Sequence, residues 1–137
     1  MTGKDALSPS DKLAMGLEMQ KQFLSEETFN KMKASRRDDL PSRVSAEFIA
    51  DICFSGYARP GLTFRERSLM NLAMLTALNR GPELRSHMRA ARYNGWTEEQ
   101  IVEACRHAMI YCGVPAGRTA LAIASDVFAE LNAEKEG

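Results

Sequence analysis

Apolar residues recur along the chain at helical spacing, and no stretch alternates with the period of two that a half-buried strand requires. Ser8-Pro9-Ser10-Asp11 reads as a helix start, with Ser8 as the cap and Pro9 in the first turn. The helix it opens carries Leu13, Leu17 and Leu24. Lys33 to Pro41 is charged and aperiodic and reads as a loop. A helix from about Ser42 to Phe54 is predicted to bury Phe48, Ile49 and Ile52. Gly56 to Gly61 then interrupts the chain, with Pro60-Gly61 as a turn signal.

The second half is punctuated more sharply. Thr63-Phe64-Arg65-Glu66 is a capping box, in which the Thr63 and Glu66 side chains satisfy backbone N–H groups at a helix start. The helix that follows is apolar almost all round through Leu69, Met70, Leu72, Ala73, Met74, Leu75 and Leu78. Such a helix belongs at the centre of a core or in an oligomer interface. Gly81-Pro82 opens the next helix, and Asn94-Gly95 ends it in a left-handed stop. Thr97-Glu98-Glu99-Gln100 is a second capping box, opening a helix to about Tyr111. Cys112 to Pro115 breaks it, and a last helix runs from about Ala116 to Leu131. The pattern predicts an all-α fold of about six helices, packed as one domain over residues 1–137.

Composition narrows the function classes. The 18 basic and 18 acidic residues cancel, so nothing general draws this chain to nucleic acid or to an anionic membrane. Met1 to Ser10 carries no apolar run of the signal-peptide kind, and Leu69 to Leu78 is too short to span a bilayer and is interrupted by Asn71 and Thr76. Cys53, Cys105 and Cys112 are an odd set without close pairing, which fits reduced thiols and a cytoplasmic location. Two histidines on different helices and scattered cysteines give no metal-ligand spacing, so no metal is expected.

His87 is the leading candidate for chemistry. On its helix it falls with Leu84, Met88 and Ala91 on the apolar stripe, so it is expected to point inward. An inward imidazole has its pKa moved by burial or by a neighbour and can exchange protons near neutral pH. The plainer reading is a core histidine satisfied by a backbone carbonyl. Arg85, Arg89 and Arg92 form a stripe beside it, able to hold a carboxylate or, as such stripes more often do, to face water or pair with acids. Arg59 and Arg67 invite the same argument with less support. His107 lies opposite the Ile101, Ala104, Cys105, Ala108 and Cys112 stripe, is expected to be exposed, and is not assigned to catalysis.

From about Pro60 to Phe128 the chain resembles the carboxymuconolactone decarboxylase family. The resemblance is carried by Arg59-Pro-Gly-Leu62, Arg67-Ser-Leu-Met-Asn-Leu-Ala-Met74, Glu83-Leu-Arg-Ser-His87, Asn94-Gly95, Glu99-Gln-Ile101 and Tyr111-Cys-Gly-Val-Pro-Ala116, in order and without a large insertion. It implies an all-α fold and a homo-oligomer, a trimer or hexamer. Where decarboxylases of this family tend to carry a Trp-Gly-acidic-X-Trp run, this chain has Cys53-Phe54-Ser55-Gly56-Tyr57.

The resemblance also implies a chemistry. The family's namesake substrate is an unsaturated lactone whose carboxylate is vinylogous to a β-keto acid. When CO₂ leaves, the electrons run through the C=C bond to the lactone carbonyl, so no pyridoxal, thiamine, flavin or metal cofactor is needed. The protein must hold carboxylates, stabilise the enolate and return a proton to carbon. His87 occupies the family's histidine position and is the expected proton donor. Related branches pair a glutamate on the preceding helix with the histidine, which makes Glu66 the second catalytic candidate beside its role as a cap. Arg85 and Arg89 are the candidate carboxylate holders. Tyr57 is a candidate donor to the enolate, although packing in a turn explains it as well.

Three rival readings stay open. One is an acid–base enzyme acting on a different lactone or aromatic precursor. Another is a non-catalytic helical oligomer. A third is a thiol peroxidase, since one branch of the superfamily uses Cys-X-X-Cys before the histidine, but Asn79 to Leu84 contains no cysteine. Cys105 and Cys112 stand two helical turns apart, too far for a disulfide.

Overall fold

The fold was obtained as a computed structural model, which describes residues 9–136. The predicted Ser8 cap lies outside the described residues. Seven α-helices and no strand are present among those described. The chain divides between Gly61 and Leu62 into two compact units.

The first unit holds α1 (Pro9–Leu24), α2 (Glu26–Ser35) and α3 (Leu40–Phe48), then a π turn (Ile49–Cys53) and a 3₁₀ turn (Phe54–Ala58). Ser25, at φ 83°, separates α1 from α2, and its hydroxyl accepts from Thr28 N–H at 3.1 Å. The predicted loop from Lys33 shrinks to residues 36–39, because Asp39 Oδ1 caps α3 by accepting from Ser42 N–H at 3.0 Å. α1 packs on the π and 3₁₀ turns. Gly16 allows this approach: a Cβ there would collide with the carbonyl oxygen of Ala50, which is fully buried.

The predicted burial of Phe48, Ile49 and Ile52 does not occur; they are 58%, 38% and 55% exposed. The π turn widens the helix there, and Ala50 and Phe54 turn inward instead. Phe54 joins Phe23 and Tyr57 in an aromatic cluster with ring centroids 4.5–5.9 Å apart.

The second unit is made of α4 (Phe64–Ala77), α5 (Gly81–Tyr93), α6 (Glu98–Cys112) and α7 (Val114–Glu136). α4 packs on α5 and α6, α7 packs on the same two helices, and α4 and α7 also touch. Leu72, Leu84, Met88, Ile101, Cys105 and Val127 form the core between them. Both predicted capping boxes are present, Thr63 with Glu66 and Thr97 with Gln100. Gly95 and Gly113 take φ of 97° and 96° at the ends of α5 and α6. Gly117 is buried where α7 crosses Met109 of α6. The last helix begins earlier and ends later than predicted, with Pro115 in its first turn.

α4 is buried along one side only within this chain. Its fully buried positions are Ser68, Leu72 and Thr76, and the two hydroxyls donate to the carbonyls of Arg65 and Leu72 at 2.7 Å. Met70, Met74 and Leu78 are at least half exposed, at four-residue intervals.

Candidate active site

Leu84, Met88 and Ala91 of α5 are buried as their spacing predicts, and His87 shares their face half-buried. The α4–α5 hairpin brings Asn71 opposite it, with Asn71 Nδ2 3.3 Å from His87 Nδ1. With the amide in this orientation its N–H donates to Nδ1, an arrangement that suits the tautomer with the ring proton on Nε2. Burial holds the His87 pKa below its usual 6.5, and the Glu83 carboxylate one turn earlier partly offsets this. The free chain therefore keeps a neutral, oriented imidazole at pH 7.

Asn71 is the partner that sequence reasoning missed. The signal was present as a polar interruption in the apolar stretch Leu69 to Leu78, but its significance depends on a helix pairing sixteen residues away.

The arginine stripe is engaged with acids of α7. Arg85 pairs with Glu130, and Arg89 bridges Glu130 at 3.4 Å and both oxygens of Glu134 at 2.6 and 2.9 Å. Arg92 donates to the Trp96 carbonyl at 2.7 Å and closes the end of α5. Glu66 is exposed and performs as a cap: its Oε1 accepts from both the N–H and the hydroxyl of Thr63 at 2.9 Å. Those hydrogen bonds hold its carboxyl below the usual range. It precedes Asn71 by five residues, about 7.5 Å along the α4 axis.

Tyr57 belongs to the first unit, stacked on Phe54 and edge-on to Phe23. In the same segment, Asp51 Oδ1 is buried without a hydrogen-bond partner among the described residues. His107 is exposed, its ring 5.4 Å from that of Tyr111. It borders an apolar cavity of about 530 Å³ between α4 and α6, with Leu69, Ala104 and Trp96 in the wall and Glu103 beside it. Trp96 is fixed by a 2.6 Å bond to the Arg65 carbonyl and by the Arg65 guanidinium 3.6 Å above its ring.

Cys105 is buried, which pushes its thiol up to about 11, while Cys53 and Cys112 are exposed. A thiol so far from ionising is a poor nucleophile. No cluster of three His, Cys, Asp or Glu positioned to hold a metal ion occurs among the described residues. No helix there is long and apolar enough to cross a membrane.

The carboxymuconolactone decarboxylase family pattern matches residues 45–126, a span that contains Tyr57, Glu66, Asn71, Arg85, His87 and Arg89. The chain belongs to the carboxymuconolactone decarboxylase family. Among its relatives is the 4-carboxymuconolactone decarboxylase of Acinetobacter baylyi, 32% identical over 133 residues, covering 95% of this chain and 96% of that protein. A nitrosuccinic acid decarboxylase of Metarhizium robertsii is 43% identical over 60 residues, which cover 44% of this chain and 42% of the relative. Both relatives are carboxy-lyases, which supports an enzyme of that type here.

Proposed function

We propose that the chain is a cofactor-independent decarboxylase of small carboxylates that carry their own electron sink, with His87 as the acid–base group. The observation that carries this reading is the half-buried imidazole with Nδ1 3.3 Å from the Asn71 amide, which leaves Nε2 as the ring nitrogen to face a substrate. The two relatives' substrates share the necessary chemistry. In a carboxymuconolactone the departing electrons reach a lactone carbonyl through a C=C bond. In nitrosuccinate, CO₂ lost from the nitro-bearing carbon leaves a nitronate.

The proposed step begins with the substrate carboxylate near His87, where its charge favours the imidazolium. Rotation of the Asn71 amide then presents Oδ1 to the new Nδ1–H, so one side chain serves both charge states. The C–C bond to the carboxylate breaks, CO₂ departs, and the electron pair enters the enolate or nitronate. Nε2 gives its proton to carbon, and the ring is reprotonated from solvent. Positioned proton transfer of this kind contributes roughly 10²–10⁴-fold in rate.

Arg85 and Arg89 are proposed to hold a substrate carboxylate by exchanging it for Glu130 or Glu134. Their present ion pairs equally support a structural role, and Arg89→Met separates the two: carboxylate binding raises KM, whereas a structural pair alone leaves KM unchanged. Glu66 is proposed to share the proton work only in addition to its cap, and Tyr57 to donate to the enolate. The protein is proposed to act as a homo-oligomer in the cytoplasm, with Met70, Met74 and Leu78 contributing to the subunit contact.

The test is CO₂ release from 4-carboxymuconolactone and from nitrosuccinate by the purified chain, without added cofactor and with a chelator present. Turnover of either supports the reading and selects the sink. Turnover of neither removes it in favour of acid–base chemistry without decarboxylation.

A further inference from the structure

We propose that the pocket between α1, α2 and α3 binds a small organic anion, an apolar body bearing one carboxylate. The pocket lies in the first unit, has a volume of about 470 Å³, and is independent of the decarboxylase reading of His87. A cavity of that size suits a small metabolite.

The first argument is Gln20. It falls between Gly16 and Leu24 on the buried stripe of α1, where the helical pattern calls for a small or apolar residue. As a residue it is only 5% exposed, and its side chain lines the pocket. Its amide atoms are not among the fully buried ones, so the polar end opens onto the pocket, and a polar residue at a position patterned for core marks a place where a ligand can be met. Gln20 lines the pocket, so its carboxamide is free to hydrogen-bond to a ligand seated there.

The second argument is charge. Arg36, on the pocket rim, forms no ion pair among the described residues, whereas Lys21, Lys31 and Arg43 nearby are matched by Glu18, Glu27 and Asp38. No carboxylate lines the cavity. An unmatched planar guanidinium is suited to a carboxylate, which it meets with two parallel hydrogen bonds. The hydroxyls of Ser42 and Ser45 add polar groups on the α3 side, while Met32 and Ile49 supply an apolar wall. That wall favours a hydrocarbon-bodied anion over inorganic phosphate.

The experiment is an amide-resolved NMR titration of the whole chain with benzoate, against benzamide and inorganic phosphate as probes of ring and charge. Benzoate is expected to shift the Gln20 side-chain amide and the Ser42 and Ser45 backbone amides in a saturable way, with benzamide and phosphate far weaker. Arg36→Ala, a surface change, weakens benzoate by roughly tenfold, the loss expected for a charge-assisted contact. Gln20→Leu removes the response on the α1 side without lowering the melting temperature, because the amide it deletes opens onto the pocket. His87→Ala leaves the benzoate titration unchanged, which keeps this result separate from any failure of the decarboxylation assay. Absence of shifts at these resonances, equal shifts with benzamide, or an unchanged affinity in Arg36→Ala overturns the proposal and leaves Gln20 solvated by water.

Discussion

Replacing Asn71 by Leu removes the group that orients His87 while keeping the volume of the side chain. The ring of the wild type is expected to report the Nε2–H tautomer in ¹⁵N NMR, and Asn71→Leu to report a mixture of tautomers. Activity should fall by roughly 10–100-fold in kcat, since a supporting partner of a proton-transfer group acts on its orientation. The pH dependence follows from the lowered pKa. The unfolded chain binds a proton at His87 near 6.5 while the folded chain does not, so stability is complete above 6.5 and is lost as pH falls through that value toward the lower folded pKa. A melting series should show this acid-side loss in the wild type and not in His87→Gln. If imidazolium is the donor, kcat/KM declines with rising pH through a value below 6.5, and kcat declines at a higher pH because the bound carboxylate favours the charged ring. Glu66→Gln distinguishes cap from catalyst. Glutamine still accepts at the third helical position, so unchanged stability with unchanged rate means that Glu66 only caps.

Among the elements, those marked by local chemistry were readable in the sequence. Thr63 with Glu66 and Thr97 with Gln100 opened their helices as predicted, and Gly95 stopped α5, because each signal acts through its own backbone neighbours. The π turn at Ile49–Cys53 was not readable from its own residues, and it packs against Gly16 of α1, more than thirty residues away. For the same reason Phe48 and Ile52 were misplaced as core. Gly16→Ala should test that contact directly. A methyl group there meets backbone rather than a movable side chain, and a loss of about 1–3 kcal/mol is expected in chemical denaturation, as for other overpacked sites. In α4, Ser68 and Thr76 were not legible as buried positions, because their hydroxyls bond back to their own helix while composition alone counts them as polar. The candidate site was readable at His87, whose apolar neighbours announce its face, and unreadable at Asn71, whose partner lies on another helix.

At the scale of the molecule, the ordered family motifs carried more than any single residue, and the family match over residues 45–126 bears out that reading. The proposed oligomer is tested by sedimentation of Met74→Glu, which places a charge in the exposed apolar line of α4 and should shift the assembly toward smaller species. The central claim is that His87 supplies the proton in a cofactor-free decarboxylation. Its most direct test is the single-turnover rate of CO₂ release and ultraviolet loss of 4-carboxymuconolactone by the wild type and by His87→Gln, with circular dichroism confirming the fold of both. The account predicts wild-type turnover without any added cofactor and a loss of at least about a hundredfold in the variant. Equal rates in the two proteins would contradict it.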